Sequence, residues 1–220
     1  PQARAEKIPT AQALAEVRQR VGHDHLRIDG DQLCKDAAVE VDFNSIAAGY
    51  AVDTIAARLE SMGIHDYLAE ATGELKAVGR KPDGSNWRVA IERPLPGTQQ
   101  LQKIVQVKQT ARLAIMTSGT YRHYYDNEGK RYSHIIDARS KAPVTHQTVS
   151  VTLIHNDLTE ADAWSTALLC LGSEQGSKVA GQFNLAVLFI DQTNNGLTEL
   201  PSTALQQHAG VMLVDAKMKQ

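Results

Sequence analysis

Four short, glycine-bearing turns constrain this chain more than any other feature of its sequence. Asp29-Gly30, Pro82-Asp83-Gly84-Ser85, Asn127-Glu128-Gly129 and Asn194-Asn195-Gly196 each separate two runs of apolar or alternating residues. Residues of these types supply the positive φ angles and local hydrogen bonds that tight reversals need. Strands joined so closely pair antiparallel, because a parallel crossover takes a dozen or more residues. The pattern predicts a hairpin over 25–36, a short strand at 39–43, and strands at 67–71, 74–79, 87–93, 103–108 and 113–117. Further strands are expected at 121–125, 132–137, 144–155, 185–191 and 197–200. Helices are expected at 10–22, 45–62, 159–171 and 173–183. The second has its stripe in Ile46, Tyr50, Ile55, Leu59 and Met62, with Gly63 as a stop. Hairpins outnumber strand–helix alternations, so the expected class is α+β, with largely antiparallel sheet packed by a few amphipathic helices.

At 220 residues the chain can build one generous core or two small subdomains. A net charge of −2 and the absence of any polybasic block give no electrostatic case for nucleic acid. No unbroken apolar run approaches the ~18 residues of a membrane-spanning helix. Cys34 and Cys170 lie far apart without metal-ligand spacing and read as small buried hydrophobes. The sequence opens at Pro1 rather than at methionine, so a processed or truncated product is expected.

Four places could carry chemistry. Asp162 and Thr166 are four apart on an expected helix, which sets a carboxylate and a hydroxyl on one face, and Ser165 adds a third oxygen. Hard oxygen donors of this kind suit Mg²⁺, although Thr159 with Asp162 also reads as a helix cap. Thr117-Ser118-Gly119 ends an apolar strand and could offer hydroxyl and N–H groups to a phosphate, or simply turn the chain; Thr72-Gly73-Glu74 shares that ambiguity. His134, on a strand with Tyr132 and Ile136, is either a base working near neutral pH or a hydrogen-bonded buried histidine. The other histidines form no ligand spacing and read as surface or loop residues. Small residues in the stretch from Asp42 to Asp53 leave room for a ligand or for close helix packing.

In order and spacing these stretches resemble the ApbE family of Mg²⁺-dependent FAD:protein FMN transferases. The likeness is carried by Asp42-Phe43-Asn44-Ser45-Ile46-Ala47-Ala48-Gly49-Tyr50-Ala51-Val52-Asp53, by Thr72-Gly73-Glu74, Trp87-Arg88-Val89-Ala90-Ile91 and Thr117-Ser118-Gly119. It continues through Gly129-Lys130-Arg131-Tyr132-Ser133-His134-Ile135-Ile136-Asp137 and Ala161-Asp162-Ala163-Trp164-Ser165-Thr166-Ala167-Leu168.

The resemblance implies an ApbE-like, T-fold-like domain over 1–200 that lacks the family's N-terminal part, followed by a tail at 201–220. It implies that FMN passes from FAD to a Thr or Ser hydroxyl of an acceptor protein while AMP leaves. Acceptors would be subunits of sodium-pumping NADH:quinone reductases or related redox complexes. The enzyme would work at the periplasmic side of the bacterial inner membrane, lipoprotein-anchored through a segment outside this chain. The same resemblance implies Mg²⁺ ligands at Asp162, Ser165, Thr166 and the Ser45 carbonyl. Flavin nucleotide contacts would fall at Asp42, Thr117, Ser118, Gly119 and Ile135, and the catalytic base would be His134. A Mg²⁺-dependent FAD pyrophosphatase and a non-catalytic flavin binder are the alternatives. This chain departs from the family pattern at Ala48, usually Lys or acidic, at Ala138, usually Pro, and at Thr72 and Lys141, both usually Gly.

Overall fold

Strands at the centre of the molecule carry apolar side chains on both faces, and both faces are covered. The computed structural model describes residues 10–95, 97, 100–108, 112–121, 124–127 and 130–216, with backbone alone at 11, 124–127 and 130–132. The chain divides into two units, Pro1–Asp42 with Ala138–Lys141, and Phe43–Asp137 with Ala142–Gln220.

In the smaller unit, helix α1 (Ala11–Arg18) starts where Thr10 Oγ1 accepts from Ala13 N at 3.2 Å. Strands β1 (Leu26–Asp29) and β2 (Gln32–Lys35) form the expected hairpin at Asp29-Gly30. The strand expected over 39–43 does not form. The Val39 carbonyl accepts from Lys35 Nζ at 2.8 Å, so a side chain takes the place of a ladder partner.

The larger unit begins with α2 (Ala47–Ser61), β3 (Tyr67–Ala71), β4 (Glu74–Val78), β5 (Arg88–Glu92) and β6 (Leu101–Val107). Next come β7 (Leu113–Gly119), β8 (Tyr124–Asn127), β9 (Lys130–Ser133), β10 (Ile136–Asp137), β11 (Ala142–Pro143) and β12 (Thr148–His155). Helix α3 (Leu158–Gln182), β13 (Ala186–Thr193), β14 (Gly196–Pro201), α4 (Thr203–Gln206) and β15 (Val211–Asp215) complete it. One sheet runs β14-β13-β12-β7-β4-β3 and a second runs β15-β6-β5, with every pairing antiparallel. The class is α+β, as expected.

Alternation along the strands divides their side chains between two cores. Ala114, Met116, Val151, Leu153, Val187 and Phe189 pack with Val52 of α2 and with Leu158, Ala161, Leu168 and Leu169 of α3. Leu113, Ile115, Ile154, Leu188 and Ile190 point the other way, against Ile91, Val105 and Val107 of the smaller sheet. Burial on both faces explains why these strands read as continuous apolar runs. The turn at 82–85 was expected to join two strands, and it does so across layers, since β4 and β5 belong to different sheets. Residues 201–216 do not trail off: Leu205 is buried, and β15 pairs with β6 from Val211 opposite Val107 to Asp215 opposite Lys103.

The two helices expected at 159–171 and 173–183 are halves of α3, which bends at Gly172 (φ 73°, ψ 170°). Side chains satisfy the backbone groups that the bend releases. His146 Nε2 donates to the Leu169 carbonyl at 2.8 Å, and Ser173 N donates to Thr148 Oγ1 at 2.7 Å. His146 is therefore a loop residue, as expected, but a half-buried one whose side chain has a structural role. A Cβ at position 172 would lie 2.7 Å from the His146 ring. Gly172→Ala is expected to cost about 1–3 kcal/mol and to lower the melting point by roughly 2–4 °C per kcal/mol. Circular dichroism melts check this, and an unchanged melting point would mean that the bend tolerates a side chain.

Candidate functional site

A cleft of about 960 Å³ opens in the larger unit where β7, still paired with β12, runs past β4. Its walls come from Asn44 and Ser45 ahead of α2, the β3–β4 turn, β5, the end of β7, His134 and Ile135, and the first turns of α3. Strand alternation sets what β7 contributes. Ser118 shares its face with Ala114 and Met116, so its Oγ meets Ser165 Oγ at 2.7 Å and Thr166 Oγ1 at 3.4 Å on α3. Thr117 faces the other layer and hydrogen-bonds Thr152 Oγ1 at 2.8 Å.

Asp162 is 2% exposed and lies just over one turn into α3. Its Oδ2 accepts from Gly49 N at 3.2 Å, and among the described residues Oδ1 has no protein donor. The expected Thr159–Asp162 capping box does not form; Asp157 caps the helix instead, accepting from Glu160 N at 2.8 Å. Burial pushes the Asp162 carboxyl above its ordinary value and the Glu74 charge adds to this, while the Gly49 N–H works against both.

Thr166 and the Ser45 segment line the cleft beside Asp162. Ser165 is fully buried behind that wall, its hydroxyl donating to the Asp162 carbonyl at 3.0 Å. Gly119 and Ile135 are part of the wall. His134 lines it too, but from an exposed bend after β9 rather than from within a strand. Ser133 Oγ accepts from Ile135 N at 3.0 Å, and this local bond replaces the next rung of the ladder. Asp42 belongs to the smaller unit, where it helps to line an apolar pocket of about 490 Å³ with Val17 and Val39.

Glu70 and Glu92 carry no signal in the sequence, and Glu74 carries one only within the Thr72-Gly73-Glu74 turn. Glu70, Glu74 and Glu92 join Asp162 in the cleft, and no lysine or arginine is among the described residues that line it. Thr72 adopts φ 54° with its hydroxyl donating to Glu74 Oε2 at 2.5 Å, and Lys141 adopts φ 57°. Both departures from glycine thus keep the left-handed backbone that glycine would adopt freely.

Asp53 closes the sequence motif that begins at Asp42, and the structure gives it a role. Its Oδ2 accepts from Leu158 N (2.8 Å), Thr159 N (2.9 Å) and Thr159 Oγ1 (3.0 Å), while Oδ1 pairs with Lys76 Nζ. Burial pushes the Asp53 carboxyl up, but Lys76 and Thr159 together outweigh it and hold the group below its ordinary value. A depressed carboxyl contributes stability above its unfolded value and loses it as pH falls through the folded one. Asp53→Ala is therefore expected to cost about 3–5 kcal/mol near pH 7, because it strands Lys76. The cost should be smaller in acid, at a pH below the ordinary aspartate pKa of about 3.9, than near pH 7. Urea unfolding at the two pH values measures this, and equal costs would contradict it.

A family model described as "ApbE family" matches residues 1–189. A FAD:protein FMN transferase of Vibrio cholerae is 38% identical over 207 residues, 94% of this chain and 61% of that protein. One of Klebsiella pneumoniae is 40% identical over 193 residues, 86% of this chain and 54% of the relative. The chain thus spans little more than half the length of these curated relatives. Among solved structures, the apo form of Pseudomonas stutzeri flavinyl transferase ApbE superposes with a TM-score of 0.80 at 43% identity. That match covers 93% of this chain and 62% of the other.

Proposed function

Because the chain belongs to the ApbE family, we propose that the protein it represents transfers FMN from FAD to a Thr or Ser hydroxyl of an acceptor protein, releasing AMP. One observation carries this reading. A single cleft gathers Ser45, Thr117, Ser118, Gly119, His134, Ile135, Asp162 and Thr166 from four separate stretches of chain. The reading extends to acceptors of the sodium-pumping NADH:quinone reductase type, to a flavin contact at Asp42 and to a periplasmic, lipoprotein-anchored setting, all on the family resemblance.

The donor set fits Mg²⁺. Every cleft group proposed to hold the ion presents oxygen: the Asp162 carboxylate, the Thr166 hydroxyl and the Ser45 carbonyl, with Ser165 supporting them from behind. The cleft also needs a cation, because its four carboxylates, with no lysine or arginine among the described residues of the lining, would repel a diphosphate. When bound, Mg²⁺ would neutralise charge on the diphosphate oxygens.

The chain's own groups supply the rest. Gly49 N–H holds one oxygen of Asp162, which leaves the other for the cleft. The Ser118–Ser165 hydroxyl pair ties the end of β7 to α3, so the wall along the phosphates keeps its shape. The His134 imidazole accepts the proton of the acceptor hydroxyl as that oxygen attacks the FMN phosphorus. The bond from this phosphorus to the bridging oxygen then breaks, and AMP departs with that oxygen.

The intact protein, given FAD, Mg²⁺ and an acceptor domain, should add the mass of FMN to the acceptor, as read by mass spectrometry. Release of free FMN and AMP without an adduct would instead identify a pyrophosphatase, and neither product would identify a flavin binder. His134→Ala should slow transfer by about 10²–10⁴-fold with FAD affinity retained. Loss of FAD binding in that variant would make the histidine structural. Asp162→Ala should abolish Mg²⁺-dependent turnover, and full activity there would remove the metal assignment.

A further inference from the structure

We propose that Asp53 and Lys76 are positioning residues that fix the register of α3 against α2 and so set the affinity of the cleft for a divalent cation. The metal half of this inference rests on the function proposed above; the register half does not.

Helix α3 already has an ordinary local cap in Asp157, whose side chain accepts from Glu160 N. One capping side chain is the usual complement of a helix start. Asp53 adds a second cap from a different helix and takes the N–H groups of Leu158 and Thr159 together with the Thr159 hydroxyl. It does so at a cost in solvation, since the Asp53 and Lys76 side chains are only 16% and 11% exposed. A second cap this costly is not needed to start the helix. It has a purpose if the position of the helix matters.

The contacts between α2 and α3 show what position is held. Gly49 N donates to Asp162 Oδ2, and one turn further along α2 Asp53 accepts from Leu158 N. As α2 advances from 49 to 53, α3 runs back from 162 to 158, so both contacts lie on one face of each helix. At the first contact the backbones nearly touch: a Cβ on Gly49 would lie 2.5 Å from the Leu158 carbonyl oxygen. At the second, the carboxylate is anchored through Lys76 to β4, the strand that also presents Glu74 to the cleft. Asp162 is aimed by the first contact and kept in register by the second. Without the second, α3 could slide or rotate about Gly49, carrying Asp162 and Thr166 with it. Groups that orient metal ligands in this indirect way commonly tune affinity without touching the ion.

The test compares the intact wild-type protein with Asp53→Asn/Lys76→Met, which removes both charges together and leaves no buried ion unpaired, and with Lys76→Arg, which keeps the pair. Three quantities are read: melting temperature, amide hydrogen exchange over residues 158–166, and Mn²⁺ affinity by titration calorimetry. The double variant should stay folded, exchange faster in that segment and bind Mn²⁺ about 10- to 100-fold more weakly. Lys76→Arg should restore both. Where the double variant does not fold, Asp53→Glu, which keeps both charges and moves the acceptor oxygens by one methylene, carries the same comparison. Wild-type exchange and wild-type Mn²⁺ affinity in the folded double variant would overturn the proposal. If the wild-type protein shows no Mn²⁺ binding that Asp162→Ala removes, the metal reading of the cleft fails by itself. The exchange data then decide the register claim, faster exchange supporting it and unchanged exchange refuting it.

Discussion

The near-contact of α2 with the first turn of α3 is the constraint on which the rest of the cleft depends. Gly49 lets the two backbones approach until its N–H reaches the Asp162 carboxylate. Any side chain at 49 would push α3 away from the sheet and take Asp162, Thr166 and the Ser165–Ser118 bond with it. Asp162 can be both 2% exposed and ionisable because a backbone donor holds one of its oxygens. A carboxylate buried without that donor would have no compensation for its lost hydration.

Strand parity does the second part of the work. Residue 118 faces the helices and residue 117 faces the smaller sheet, so the end of β7 presents hydroxyls to both sides of one cleft. The same parity gives the molecule two cores, which is why it needs β5, β6 and β15 as well as the helices. A strand contributed by residues 211–215 closes the second layer.

Much of this was legible in advance. The hairpin at Asp29-Gly30, the helix behind Ser45 and the α+β class follow from local turn chemistry and apolar spacing, which act over a few residues. Asp162 and Thr166 share a cleft because i and i+4 share a helix face. The misreadings have two sources: a partner distant in sequence at Asp162, and local bonds or helix rotation elsewhere. Asp162 looked like a local cap until a donor 113 residues away claimed its oxygen. Ser165 looked like a ligand beside Thr166, yet one position of helix rotation turns it into the core. Residues 39–43 have strand composition, but the Lys35 side chain bonds the Val39 carbonyl, and His134 leaves its strand because Ser133 bonds the backbone locally.

The sequence by itself determined most of the elements, the class, the family and part of the cleft lining, because turn chemistry, helix periodicity and motif spacing are written locally. Only the tertiary structure decided what each charge does. Asp53 and Lys76 are two ordinary charged residues in the sequence, and folding makes them a buried pair across α2, β4 and α3. Glu70, Glu74 and Glu92 look like strand residues until the cleft collects them beside Asp162. The physical reason is the range of the interactions. Propensity acts between neighbours in sequence, whereas desolvation and pairing of charge act between neighbours in space, and those exist only after the sheet and helices have packed.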